Sequence, residues 1–357
     1  MSDGLKKIRA GIDALDDRIV DLLNERAALA QAIGHAKSGA KYRPEREAQV
    51  LRRVASRNRG PLPAPAMARL YTEIMSACRA LEDGIAVAYL GPPGTFSEEA
   101  AIKQFGGQAR LEPCASIDNV FRQVEAGQSQ YGVVPVENST EGSISRTHDL
   151  LLATPLKVCG EVLLPVHQCL MSKSGKASSV RRILSHSQSL AQCHEWLNQR
   201  FPGARRVPVV SNAEAARLAA KDAAAGAIAS KTAAKVYGLK IIAGNIEDEP
   251  QNTTRFVVIA AHDAGPSGKD KTSLVMSTRN VPGAIHALLT PLAQHGVSMT
   301  RLESRPARTG RWEYLFYVDI EGHQQDPHIA QALQELGEKA AFLKNLGSYP
   351  AGSASTD

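Results

Sequence analysis

Ile8, Ile12, Leu15, Ile19, Leu22, Leu29 and Ile33 recur at alternating steps of three and four. That spacing draws one apolar stripe along an α-helix. The predicted helix runs from about Leu5 to Lys37, roughly 50 Å at 1.5 Å per residue. A helix that long cannot bury its stripe against one short module, so a second copy of the chain is the expected partner. A second helix starts near Pro44, a residue suited to a first helical turn. After the Pro-rich break Ser56–Ala66, a third helix carries Met67, Leu70, Tyr71, Ile74, Met75, Cys78 and Leu81. Residues 1–84 therefore read as an all-α module. From residue 85 to 264 the pattern changes. Short apolar runs ("IAVAYL", "YGVVPV", "VLLPVHQCLMS", "RRILSH", "GAIAS", "RFVVIA") alternate with helical stretches such as "SLAQCHEWLNQRF" and "NAEAARLAAKDAAA". That alternation predicts an α/β domain. After the polar linker "GPSGKD", residues 271–349 read βαββαβ, the order of a ferredoxin-like α+β sandwich. The tail 350–357 reads as disordered.

Composition narrows the class. The chain of 357 residues is 43% hydrophobic and 22% charged, as in soluble globular proteins. Its net charge is +6, and residues 1–84 hold 15 Lys/Arg against 11 Asp/Glu. A basic surplus of that kind suits a small acidic ligand or nucleic acid. Aromatic content of 5% and the lack of any zinc-finger, RNA-recognition or helix-turn-helix motif argue against nucleic acid. The cysteines are odd in number, widely spaced and without CxxC, which points to a reducing cytoplasm. No leader-like apolar stretch opens the sequence, and no apolar run reaches about 18 residues, so neither export nor membrane insertion is expected.

Arg26 fills the gap in the apolar stripe, where a bundle would place Leu or Ile. Taken alone, a snorkelling Arg or a pair with Glu25 explains it equally well. Lys37 is 11 residues on and falls within about 20° of the same line, so two cations face one space. Arg9, 17 positions earlier, is about 100° away and suits the pocket of an antiparallel partner. Shared cations of that kind call for a small polyanion. Glu47 beside Arg46 reads alone as a first-turn acid complementing the helix dipole. Glu82 ends the stripe Tyr71–Met75–Cys78–Glu82, where alone it reads as a solvated helix end.

"LDDRIVDLLNERAALAQAIGHAK", "YRPEREAQVL" and "EIMSACRALE" together resemble the all-helical chorismate mutase family, over residues 5–82. The resemblance implies an intertwined helical dimer. In it, Arg26 and Arg9 of the partner subunit would bind the two carboxylates of chorismate, and Lys37 would donate to the ether oxygen. Glu47 would hold the ring hydroxyl, Arg46 would support the carboxylate side, and Cys78 would line the pocket. The rearrangement of chorismate to prephenate needs neither a nucleophile nor an obligatory proton transfer. Holding the reactive conformer and stabilising charge on the breaking ether oxygen suffice. The family often places Gln where this chain has Glu82. A Glu donates only when protonated, so mutase activity is expected to fall as pH rises.

The middle region carries "AYLGPPGTFSEEAA", "GVVPVENSTEGSI", "ILSHSQSLAQC" and "NTTRFVVIA". The first lacks GxGxxG and the P-loop Lys-Ser/Thr, so it is a weak nucleotide signal. A lone TTR reads by default as a polar loop with Arg255 in a surface ion pair. The set resembles the prephenate dehydratase family over about residues 86–262. That implies two α/β lobes around a cleft, like periplasmic binding proteins, and cofactor-free conversion of prephenate to phenylpyruvate. Thr254 would donate its hydroxyl to the leaving group, with Glu137 as the alternative proton source. Arg255 would orient the loop or bind carboxylate. Asn138 and Ser139 would line the opposite lobe with Glu137, and Thr95, Ser97 and Ser187 would add hydrogen bonds. His186 and His194 read as structural, because no further ligand stands at metal spacing.

"NVPGAIHALLTPLAQHGVSMTRLESRPAR" resembles the ACT domain of phenylalanine-regulated enzymes. The resemblance places the backbone N–H groups of Gly283 and Ala284 at a helix start suited to an amino acid's carboxylate. Glu303, Ser304 and Arg305 would line the facing edge. The alternative is a plain dimerisation sandwich in which Glu303 and Arg305 form a surface pair. Together the three regions imply a homodimer, or a dimer-based higher oligomer, that acts on chorismate and prephenate under phenylalanine feedback. The rival is a non-catalytic or partly degenerate ligand-sensing binding protein with the same parts.

Overall fold

The computed structural model describes residues 3–36, 42–82, 84–279, 281–307 and 314–352. Lys37 lies outside them.

Helix α1 (Asp3–Ala36) packs against α3 (Ala64–Ala80), which in turn packs on α2 (Pro44–Arg57). Pro44 opens α2 after an extended Arg43, and Asn58 closes it by bonding back to the carbonyls of Val54 and Ala55. Along α1 the apolar stripe is bare in a single chain: Ile8 is 65% exposed, Leu22 60% and Leu29 61%. The module does not stand apart from the rest of the chain. Tyr42, just before α2, is buried between Phe105 and Tyr131. Its hydroxyl accepts from Gln104 Nε2 at 2.7 Å, and its carbonyl accepts from Tyr131 Oη at 3.2 Å.

The next domain has two lobes. In the first, β1 (Ala86–Leu90), α4 (Phe96–Phe105), β2 (Arg110–Cys114), α5 (Ile117–Glu125), β3 (Tyr131–Asn138), β4 (Gly142–Ser143), α6 (Ser145–Ala153) and β5 (Lys157–Pro165) follow in order. The chain then crosses over. The second lobe holds β6 (Cys169–Ser172), β7 (Arg182–Ser185), α7 (Ser187–Gln192), α8 (His194–Arg200), β8 (Arg205–Pro208), α9 (Asn212–Ala219), β9 (Ala225–Ala229), α10 (Lys231–Val236) and β10 (Lys240–Gly244). A return crossover leads to β11 (Thr253–Ala260), which goes back into the first sheet. The sheets run β2-β1-β3-β11-β5, with β4 on β3, and β10-β6-β9-β7-β8. The stretch "SLAQCHEWLNQRF" is two helices rather than one. Asp248 accepts the backbone N–H groups of Glu195 and Trp196, both at 3.0 Å, and so starts a new helix after Cys193.

The third domain follows as β12 (Asp270–Ser277), α11 (Ala284–Gln294), β13 (Met299–Pro306), β14 (Tyr314–Glu321), α12 (Pro327–Lys339) and β15 (Phe342–Pro350). Its antiparallel sheet runs β13-β14-β12-β15 with both helices on one face. The disordered tail expected from residue 350 is corrected at its start. Pro350 ends β15, Ala351 N–H bonds to Lys269 O at 3.0 Å, and Gly352 N–H bonds to Glu161 Oε1 at 2.9 Å.

The open face of this sheet packs on the first lobe. At the seam Arg255 bonds Glu161 and Asp319, each at 2.6 Å, and Tyr349 Oη at 2.9 Å. Lys271 also reaches Glu161 at 2.9 Å. Burial alone would push the Asp319 carboxyl up, but Arg255 and the Ser273 hydroxyl outweigh it and hold it below the usual carboxylate range. Removing one member of such a cluster leaves the others buried and short of a partner. Asp319→Asn should therefore destabilise the chain by about 3 kcal/mol at neutral pH. With its pKa lowered on folding, Asp319 contributes fully above its unfolded value of about 3.9 and loses that contribution as pH falls through the folded value. Thermal unfolding of both proteins across pH 3–7 should show the gap closing toward the acid end.

Candidate active sites

On the helical module, Arg26 turns inward and donates from Nη1 to Cys78 Sγ at 3.0 Å. Glu25 is not the partner in this contact. Glu47 forms an ion pair with Arg79, a residue that spacing did not single out. The Glu82 carboxyl lies against Gly34 of α1, where an added Cβ would stand 2.5 Å from Glu82 Cδ. A larger residue there would have to displace the end of the Glu82 side chain. Arg46 is exposed on the first turn of α2, beside Glu47. Arg9 is about 25 Å back along α1 from Arg26, out of reach of this cluster in its own chain.

Between the lobes lies a cleft of about 270 Å³. The first lobe brings Thr95, Ser97, Asn138 and Thr254 to its wall, and the second brings His186 and Asn212. Asn138 is held firmly: its Oδ1 accepts from Thr140 N–H at 3.1 Å, Thr140 Oγ1 at 2.6 Å and Glu141 N–H at 3.3 Å. Its Nδ2 donates to Asn252 Oδ1 at 2.8 Å and to Thr254 Oγ1 at 2.9 Å. Because Thr254 Oγ1 accepts there, its own proton is left to donate elsewhere. Thr95 is the N-cap of α4, its hydroxyl spanning Leu90 O at 2.9 Å and Glu98 N–H at 3.4 Å. Gln168 and Asn252 stand on the two crossovers and also line the cleft. Gln168 Oε1 and Asn252 Nδ2 are buried and, among the described residues, find no hydrogen-bond partner. Such atoms are costly unless a ligand or water satisfies them.

Several expected residues are elsewhere. Strand residues alternate faces, and Glu137 and Arg255 are cross-strand partners on the face opposite Asn138 and Thr254. Glu137 ion-pairs with Arg301 at 2.9 Å, and Arg255 is committed to the seam. The readings of Glu137 as proton source and Arg255 as carboxylate ligand are thereby corrected. Ser139 is a clasp between strands: its hydroxyl accepts from Thr253 N–H at 2.9 Å and reaches Gln251 O at 3.4 Å. Ser187 is exposed in the first turn of α7, while its neighbours His186, Gln188 and Ser189 line the cleft. His186 was expected to be structural only. Motif position marked the loop, but not which of its residues turns inward.

In the third domain Gly283 takes a left-handed conformation (φ 78°) and caps α11, with Ala284 as its first residue. Glu303 and Arg305 stand on β13, the edge strand of the sheet, and pair with other residues rather than with one another. Glu303 bonds Arg301 and Ser143, and Arg305 bonds Ser145 O at 2.8 Å and Asp149 at 3.2 Å, all within the seam. Ser304 is on the other, exposed face. Buried His148 sits beside this cluster, and burial, then Arg301, pushes its imidazole below the usual range against the pull of Glu303.

Comparison with known proteins agrees with this layout. Residues 8–83 match the family model described as chorismate mutase type II, 87–264 match prephenate dehydratase, and 272–338 match the ACT domain. A bifunctional chorismate mutase/prephenate dehydratase of Neisseria gonorrhoeae is 54% identical over 346 residues, covering 96% of each chain. Among solved structures, a prephenate dehydratase from Arthrobacter aurescens in complex with L-Phe matches with a TM-score of 0.69 at 33% identity, over 75% of this chain and 90% of that one. A protein described as a novel type of quorum quenching acylase matches with a TM-score of 0.68 at 32% identity, over 74% and 98%. With every module matched in order and near-complete coverage of both sequences, the chain belongs to the family of bifunctional chorismate mutase/prephenate dehydratases.

Proposed function

We propose that this chain converts chorismate to prephenate in its helical module and prephenate to phenylpyruvate in the cleft, under inhibition by phenylalanine bound at the ACT domain. The observation that carries the second step is the chain from Asn252 through Asn138 to Thr254, which leaves the Thr254 proton free at the cleft wall. In the reaction the C–C bond to the ring carboxylate breaks and releases CO₂. Its electron pair enters the ring, the C–O bond to the ring hydroxyl breaks, and that oxygen leaves as water with a proton delivered through Thr254. Aromatisation drives the step without a cofactor. Gln168 Oε1 and Asn252 Nδ2 supply an acceptor and a donor for substrate oxygens, and Thr95 and Ser97 shape the same wall.

In the mutase module Arg26 is the carboxylate ligand, with Glu47 and Glu82 around the reacting ring and Arg46 at the rim, and the family resemblance gives Lys37 the role of donor to the ether oxygen. Arg9 of the partner subunit completes the pocket. The bare stripe of α1 supports the homodimer, because an apolar face of that length is costly in water. Gly283 and Ala284 present the α11 start to the effector's carboxylate. Five buried, unpaired cysteines favour a cytoplasmic enzyme.

Supplying chorismate alone tests the reading. Phenylpyruvate should form, and added phenylalanine should suppress it. Prephenate accumulating without phenylpyruvate would remove the cleft assignment. Binding without turnover at any pH would favour the ligand-sensing rival.

A further inference from the structure

Arg79 is a cation of the helical module whose partners lie outside its own helix. Nη1 pairs with Glu47 Oε1 on α2. Nη2 donates to the carbonyl of Phe105, the last residue of α4, at 2.5 Å. The guanidinium lies over the ring of Tyr42, 5.3 Å from its centroid, and that ring is part of the dehydratase core. Both groups of the pair are largely shielded, with side-chain exposures of 12% for Arg79 and 15% for Glu47. The seam around them is close. At Gly106, the α4 cap, a Cβ would collide with Ser76, and Gly107 and Gln108 donate to Glu73 and Ser76 of α3. The other end of α4 brings Phe96 and Ser97 to the dehydratase cleft.

We propose that Arg79 is a positioning residue for the mutase reaction: anchored by the Phe105 carbonyl of the dehydratase domain and by the Tyr42 ring packed into that domain's core, it holds the Glu47 carboxylate toward the substrate, so the second domain of the chain completes the mutase site. A planar guanidinium can meet a carboxylate and a carbonyl at once, which an ammonium on a flexible stem does poorly. With Oε1 held by Arg79, the Glu47 carboxylate still keeps acceptor sites for the ring hydroxyl. This inference rests on the reading of Glu47 as a substrate ligand.

The test uses the full chain with Arg79→Gln, Arg79→Lys, Glu47→Gln and the Arg79→Gln/Glu47→Gln double variant. Mutase turnover is measured on chorismate, and dehydratase turnover on prephenate supplied directly. Arg79→Gln should lower mutase kcat/KM about tenfold or more, and Arg79→Lys should recover only part of it. Dehydratase turnover should stay within about twofold. The double variant should be no worse than Glu47→Gln alone, because residues acting through one contact are not additive. Additive losses, or parallel loss of both activities, would make Arg79 a structural residue and overturn the proposal. Unchanged mutase in Arg79→Gln, with Glu47→Gln impaired, would also overturn it. If Glu47→Gln itself leaves mutase intact, the substrate-ligand reading of Glu47 falls instead.

Discussion

Thr254→Ala is expected to lower dehydratase kcat by about a hundredfold or more, the usual weight of a positioned proton donor. Mutase turnover on chorismate should not change, so prephenate should accumulate. The substitution deletes a cleft hydroxyl whose proton is left free by its neighbour, since Asn138 Nδ2 already donates to Thr254 Oγ1. It also leaves that Nδ2 proton short of an acceptor, at a cost of about 1 kcal/mol in stability, too little to unfold the domain. KM for prephenate should move little, because the remaining cleft groups stay in place. Thr254→Ser keeps the hydroxyl and should keep much of the activity. Retained turnover in the Ala variant would assign proton delivery to another group, with His186 the titratable side chain on that wall.

The second large effect is expected at Arg26. Arg26→Ala should lower mutase kcat/KM by about a hundredfold or more, since losing one partner of a buried charge pair costs about 2–5 kcal/mol. Prephenate supplied directly should still be dehydrated at the parent rate. Arg26→Lys should rescue poorly, because an ammonium cannot meet a carboxylate through two parallel bonds. The Arg26–Cys78 contact is compatible with mere helix packing. Full mutase activity in Arg26→Ala would establish that packing role and remove Arg26 from the substrate site.

Periodicity alone made most of the architecture legible. Alternating steps of three and four identify α1, and the change to short apolar runs marks the two-lobed domain, because helix and strand impose different repeats on a buried face. Motif position located Thr254 and Asn138, but it could not tell them from Arg255 and Glu137. Residues next to each other on a strand must face opposite ways, yet here both faces are covered. The cleft lies on one and the third domain on the other, and only the packing of that domain shows which is which. The same holds for Glu303 and Arg305, whose partners Ser143, Ser145 and Asp149 are about 160 positions away in the chain.

The sequence by itself determined the order of the modules, the helix carrying Arg26 among apolar residues, and the strand carrying Thr254, since each depends on local repeat and residue type. The tertiary structure decided which polar groups meet. Arg79 finds Glu47 and the end of α4, Asp319 finds Arg255, and Gln168 Oε1 and Asn252 Nδ2 are left without a partner among the described residues. Spacing along one chain carries no record of partners that approach from other elements, and a buried polar group takes its role from those partners.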